Sequence, residues 1–315
     1  MRYKKRLGWF GLVLFLSAGA ILEVFTGPAR FSFKDLSPIV NFRLPRLGIG
    51  VVAGGVLGVV GGSLQGLLRN PLVDPWTLGV ASGAALGASI AITAGSGTSL
   101  LLPGAAFLGA LFAIGLVYLL ARGRGGITVT RLVLAGVIVS FLFSSLVMLI
   151  MVLSRHTLGE AVYLMMGNLG VVFTKSSAWL FAVCALLAAA GCAWLVFHAR
   201  ELDIVSLNEE VALSLGVDVQ RLTRMVFLIG SFVVGAVVAW TGAISFVGLI
   251  VPHLVRMLFG PRHALVLPGS FLLGAGVLIW ADVIVRNIAP AGLPLSVVTA
   301  LIGVPFFIYL LRTRV

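Results

Sequence analysis

Titratable side chains are scarce in this chain, and their spacing argues against catalysis. Across 315 residues there are 22 Lys and Arg, 10 Asp and Glu and 4 His. No HExxH, no serine-nucleophile motif and no cysteine and histidine cluster at ligand spacing occurs, which weighs against a membrane enzyme. None of the lysines, Lys4, Lys5, Lys34 and Lys175, follows a glycine, so the chain has no GxxxxGK[ST] loop to hold a nucleotide. Cys184 and Cys192 share one apolar segment, about 12 Å apart along a helix, and read as packing residues.

A proton-coupled carrier needs carboxylates or histidines at membrane depth. Asp282 is the one carboxylate so placed, and Arg286 follows one helical turn later, so the two read as an ion pair. Glu23 falls near the end of a span. His253 and His263 read as structural or coupling residues, not as metal ligands, and no metal site is expected. Ser140, Ser144 and Ser145 interrupt an apolar run; they read as hydroxyls bonded back to the preceding turn, with a polar pathway lining as the alternative.

One stretch is polar by design: Ser206 to Gly216, SLNEEVALSLG. Ser206 followed three residues later by Glu209 has the form of a capping box, and Gly216 stands where a left-handed closing residue belongs. Leu207, Val211 and Leu215 fall on one face at four-residue spacing. A helix of roughly three turns is too short to cross a bilayer. It is either an interfacial helix on lipid headgroups or a docking element gripped by a soluble partner.

The elements that hold this stretch are set by composition. Hydrophobic residues make up 60% of the chain and charged residues 10%, with a mean hydropathy of +1.16. Soluble domains carry about 25% charged residues, so this is an all-α, polytopic integral membrane protein. A formal net charge of +12 then marks basic cytoplasmic loops, not a nucleic-acid face.

Ten spans are expected, near residues 7–25, 47–68, 79–94, 101–121, 132–153, 177–197, 225–240, 243–258, 265–284 and 294–311. The apolar stretch from Met225 to Leu258 would be about 50 Å long as one helix, beyond the roughly 30 Å hydrocarbon core, so it must turn back at Trp240-Thr241-Gly242. Gly54, Gly58, Gly62 and Gly66 give the second span a flat face for close helix approach. Four basic residues precede the first span, read here as retained; a secretory signal ending at Ala18-Gly19-Ala20 is the competing reading. The whole of 1–315 reads as one transmembrane domain, with 204–220 as a polar segment inside it. With both termini cytoplasmic, fifteen of the 22 basic residues fall inside, and Ser206–Gly216 falls there too.

Several phrases resemble the FecCD family of ABC-importer permeases for iron chelates, haem and cobalamin. They are RLPR (Arg43 to Arg46), RNPLVDPWTLGVASGA (Arg69 to Ala84), TRLVLAGV (Thr130 to Val137), EVALSLGV (Glu210 to Val217), GAISFVGLIVPHLVR (Gly242 to Arg256) and LPLSVVTALIGVPFFIYLL (Leu293 to Leu311). The resemblance implies a type II importer permease fold in the cytoplasmic (inner) membrane. It also implies a homodimer with its path on the two-fold axis, two cytoplasmic ATP-binding subunits, and a periplasmic or lipid-anchored substrate-binding protein. ATP and Mg would sit on the partner ATPase, with no cofactor on this chain.

The same resemblance makes Ser206, Leu207, Asn208, Glu209, Glu210, Leu213, Leu215 and Gly216 the coupling helix that enters a cleft on the ATPase. Arg43, Arg46 and Arg286 resemble outward arginines that pair with acidic residues of the binding protein; headgroup anchoring is the alternative for Arg43 and Arg46. Asn70, Leu72 and Thr130 resemble the cytoplasmic gate, with Val129 where the gate has a threonine. Iron-siderophore is the first expected cargo, then haem and cobalamin. An ATP-independent carrier or channel is the alternative function, and a lipid-acting enzyme a more distant one.

Overall fold

Long apolar runs can satisfy their backbone groups in a bilayer only as helices or closed barrels, and here they form helices. The computed structural model describes residues 2–26, 39–95, 100–123, 126–154, 166–171, 173–288 and 293–314. Among the described residues, seven helical segments are long and apolar enough to cross a membrane. They comprise α1 (Arg2–Phe25), α2 (Leu44–Leu67, entered through a π turn at Ile39–Arg43), α4 (Leu101–Ala121), α5 (Val129–Leu153), α6 (Lys175–Phe197), α9 (Val219–Thr241) and α11 (His263–Ile288). The only strands among the described residues, Arg122–Gly123 and Gly126–Ile127, pair antiparallel between α4 and α5.

Three other apolar helices are α3 (Val80–Thr93), α10 (Val247–Phe259) and α12 (Leu295–Arg314). They stand where the third, eighth and tenth spans are expected, but α3 and α10 are not full-length crossings. With 14 and 13 residues they measure about 20 Å. Left-handed residues explain where they start. Gly79 (φ 80°) follows a 3₁₀ turn at Pro75–Leu78 and opens α3; Gly242 (φ 65°) ends α9 at the expected turn, and Phe246 (φ 69°) opens α10. Both half-helices begin inside the bundle: Gly248 packs on α2 at Gly61, and Gly79 packs on α5 at Gly136.

At the centre lies α2, enclosed chiefly by α11, α10 and α9. A Cβ at Gly54 or Gly58 would fall on the carbonyl oxygens of Gly274 or Ser270 in α11. The four-residue glycine spacing therefore does what it predicts, letting two backbones touch. Ser145 bonds back to Phe141 O at 2.8 Å, and both cysteines are free.

The polar stretch is not one three-turn helix. It comprises the end of α7 (Ala199–Leu207) and the separate six-residue α8 (Glu209–Ser214), broken at Asn208 (φ −162°, ψ 145°). Ser206 does not cap: it lies inside α7 and its hydroxyl donates to Asp203 O at 2.7 Å. The cap is Asn208, whose Oδ1 accepts from Glu210 N at 3.0 Å. Asn208 is extended and its side-chain oxygen takes up a free N–H of α8, while the Ser206 hydroxyl is used within α7.

Candidate functional site

The α7–α8 segment is a projection with a buried root. Leu202 and Ala212 are fully buried, whereas Leu207, Leu213 and Leu215 are 75%, 60% and 63% exposed, with Glu209 and Glu210 exposed beside them. Gly216 (φ 78°) closes α8 as expected, its N–H bonding Leu213 O while Val217 N bonds Ala212 O. Three exposed leucines beside two carboxylates on so short an element form an apolar contact with an acidic rim.

The root of this projection is tied to α11. Asp203 Oδ1 accepts from His263 N at 2.8 Å and from His263 Nδ1 at 2.6 Å, and His263 is 3% exposed. The carboxylate thus caps the first turn of α11, where free N–H groups and the helix dipole favour a negative charge. Because α11 makes the most extensive packing with α2, a displacement of α7–α8 bears directly on the central pair. His263 has the structural role expected of it; Asp203 has no sequence signal beyond its place in α7.

A second polar junction lies where α3 and α10 begin. Gln65, buried in α2, donates its amide to Val73 O, Gly248 O and Leu249 O and accepts from Arg256. Asp74 accepts from Trp76 N and from Phe246 N, each at 3.2 Å. Gln65 and Asp74 thus bond backbone groups at the start of α10, which begins inside the bundle. Arg69 (φ 49°) reverses the chain at the start of this loop, and Asn70 Oδ1 accepts from Leu72 N at 2.9 Å. Leu72 and Thr130 are exposed and Val129 half-buried. Within one chain no hydrogen bond joins Asn70 or Leu72 to Val129 or Thr130. The loop and the start of α5 meet through Gly136, which packs on Thr77 O.

The three arginines expected on an outward rim are inside the protein. Arg46 grips Asp282 with two bonds, of 2.6 and 2.7 Å. Asp282 also meets Arg286 at 3.2 Å, and Arg286 meets Glu23 at 2.6 Å. Arg43, 6% exposed, donates to Val24 O at 2.6 Å, and Arg286 donates to Glu23 O and Thr26 O. Two guanidinium groups therefore cap the open carbonyls at the end of α1 while two carboxylates balance Arg46 and Arg286. Within the chain these charges join α1, α2 and α11. The predicted Asp282–Arg286 pair is present and belongs to the larger network. It sits 19 residues from His263, about 28 Å along α11, so the network and the α7–α8 projection occupy opposite ends of the bundle.

A model of the FecCD transport family matches residues 9–313. The chain is 40% identical over 298 residues to the cobalamin import system permease protein BtuC of Halobacterium salinarum, covering 94% of this chain and 79% of that protein. It is 37% identical over 284 residues to the hemin transport system permease protein HmuU of Yersinia pestis, covering 87% and 83%. Among solved structures, an inward-facing ABC transporter of metal-chelate type superposes with a TM-score of 0.86 at 34% identity, over 96% of this chain and 98% of that one.

Proposed function

The chain belongs to the FecCD transport family, and from that premise we propose that it is the permease subunit of an ATP-driven importer of a metal chelate. The observation that carries this reading is the α7–α8 projection. Exposed Leu207, Leu213 and Leu215 with Glu209 and Glu210 offer a separate subunit something to grip, and Asp203 and His263 fix the root to α11. In the proposal this end faces the cytoplasm, as do both termini, and two ATP-binding subunits that hold ATP and Mg seat on it. The permease works as a homodimer in the inner membrane, and a substrate-binding protein delivers cargo at the end carrying the Arg46–Asp282 network.

Ten crossings follow if α3 and α10 each complete a span with the chain that precedes it. Likeness to cobalamin and hemin permeases supports the metal-chelate class and does not favour the expected iron-siderophore over these two. Movement of the projection, passed through Asp203 to α11 and α2, would switch the side on which the path is open. Joint replacement of Glu209 and Glu210 by arginine reverses the charge of the projection. In a complex reconstituted with its ATP-binding subunit, that variant is expected to fail to bind the subunit or to hydrolyse ATP without import. Normal import would refute the coupling role.

A further inference from the structure

A groove of about 520 Å³ runs between α4 and α6, with α9 as its floor. Both flanking helices pack along α9 and make little contact with one another. Glycines set this spacing. A Cβ at Gly191 would fall on Val233, so α6 touches α9 there, and a Cβ at Gly235 would crowd Ala110, where α4 touches it. Between these two lines of contact the walls include Leu111 and Ile114 of α4, Leu187 and Trp194 of α6, and Leu228 and Phe232 of α9; no wall residue is charged. All three helices are long and apolar enough to cross the membrane, so the medium at the groove is hydrocarbon.

The two ends of the groove differ. At the deep end Phe107 of α4 meets Phe232 edge-on, with ring centroids 5.6 Å apart. Toward the end that carries α7–α8, the wall-lining faces continue at helical spacing into Tyr118 on α4, His198 after α6, and Arg224 and Arg221 on α9. His198 stacks on Trp194 at 3.8 Å. Arg221 and Arg224 are exposed, and neither forms an ion pair among the described residues. Arg221 lies about 16 Å from Phe232 along α9, close to half of the roughly 30 Å hydrocarbon core, so groove and mouth together span one leaflet.

We propose that this groove holds one acyl chain of an anionic phospholipid from the leaflet on the α7–α8 side. Apolar walls of one-leaflet depth, opening sideways into hydrocarbon, fit a lipid chain and not a soluble solute. The mouth carries the side chains that settle at headgroup level, an aromatic body with a polar tip or a long basic arm. The positive charge of the arginine pair there favours an anionic headgroup over a zwitterionic one. The inference rests on the membrane-spanning fold and is independent of the transported solute and of the coupling role.

The test uses the full-length chain with its ATP-binding subunit, in nanodiscs of phosphatidylcholine with a minor fraction of phosphatidylglycerol bearing the same acyl chains. Native mass spectrometry should find phosphatidylglycerol retained in preference to phosphatidylcholine. Ala190→Phe, at an exposed position of the groove wall, fills the groove and should lower retention of both lipids to background. Arg221→Gln combined with Arg224→Gln should cut the preference for phosphatidylglycerol about tenfold while a lipid is still retained. Should one of these variants fail to fold, the other decides. Equal retention of the two lipids by the wild type, a preference unchanged by the arginine replacements, or retention unchanged by Ala190→Phe overturns the proposal. A crosslink from Leu187→Cys to a second copy or to another membrane protein also overturns it, since protein would then cover the groove.

Discussion

Asp203→Ala isolates the step by which the projection would drive the bundle. The substitution removes one oxygen that accepts two hydrogen bonds, of 2.8 and 2.6 Å, from His263. His263 is 3% exposed, so both donors are left in a nearly dry site, where each stranded group costs about 1–3 kcal/mol. Because the Asp203 side chain is 35% exposed, water can reach part of the gap, and a total near the low end, about 2 kcal/mol, is appropriate. If that free energy is what holds α7 to α11, its loss lowers transport per ATP about thirtyfold. The assay measures uptake and hydrolysis together in proteoliposomes containing this chain, its ATP-binding subunit and its binding protein. Hydrolysis should persist while uptake falls, and Asp203→Asn, which keeps an accepting oxygen, should recover most of the loss. Wild-type coupling in Asp203→Ala, or an equal defect in Asp203→Asn, would refute the reasoning.

Two stability predictions concern the rest of the bundle. Gly54→Ala places a methyl group on Gly274 O, so α2 and α11 must separate; a loss of about 1–3 kcal/mol is expected, read as a lower unfolding temperature in detergent. Arg46→Ala leaves Asp282, 1% exposed, with the 3.2 Å contact to Arg286 as its remaining ion pair, and should cost about 3–5 kcal/mol; Arg46→Ala combined with Asp282→Ala should cost less than Arg46→Ala alone in the same measurement.

Much of the bundle was legible because hydropathy and glycine spacing are local signals. The second span, its flat face and the turn at Gly242 all follow from residues within a few turns of one another. The half-helices are not legible in this way: Val80–Thr93 and Val247–Phe259 have ordinary apolar composition, and it is contacts between distant residues, Gly79 with Gly136, Gly248 with Gly61 and Asp74 with Phe246, that place their starts inside the bundle. Gln65 could have been noticed as an isolated amide in an apolar run. The internal pairing of the three arginines is hidden for a related reason. Arg46 and Asp282 are 236 positions apart, and sequence alone cannot say that they meet. Ser206 and Glu209 match a capping pattern, but Ser206 bonds back into α7 and Asn208 between them caps α8, which puts the cap two residues later. The exposed leucines and glutamates of the projection were read as a polar island for the right reason, namely their contrast with everything around them.

The central claim is that the α7–α8 projection faces the cell interior and is held by the ATP-binding subunit. Leu213→Cys, at a 60% exposed position of α8, tests it against the parent protein carrying only Cys184 and Cys192. In the assembled complex the substituted position should react with a membrane-impermeant maleimide only from the cytoplasmic side, be shielded by the ATP-binding subunit, and crosslink to it. Labelling from outside intact cells, or reactivity unchanged by that subunit, would contradict the account.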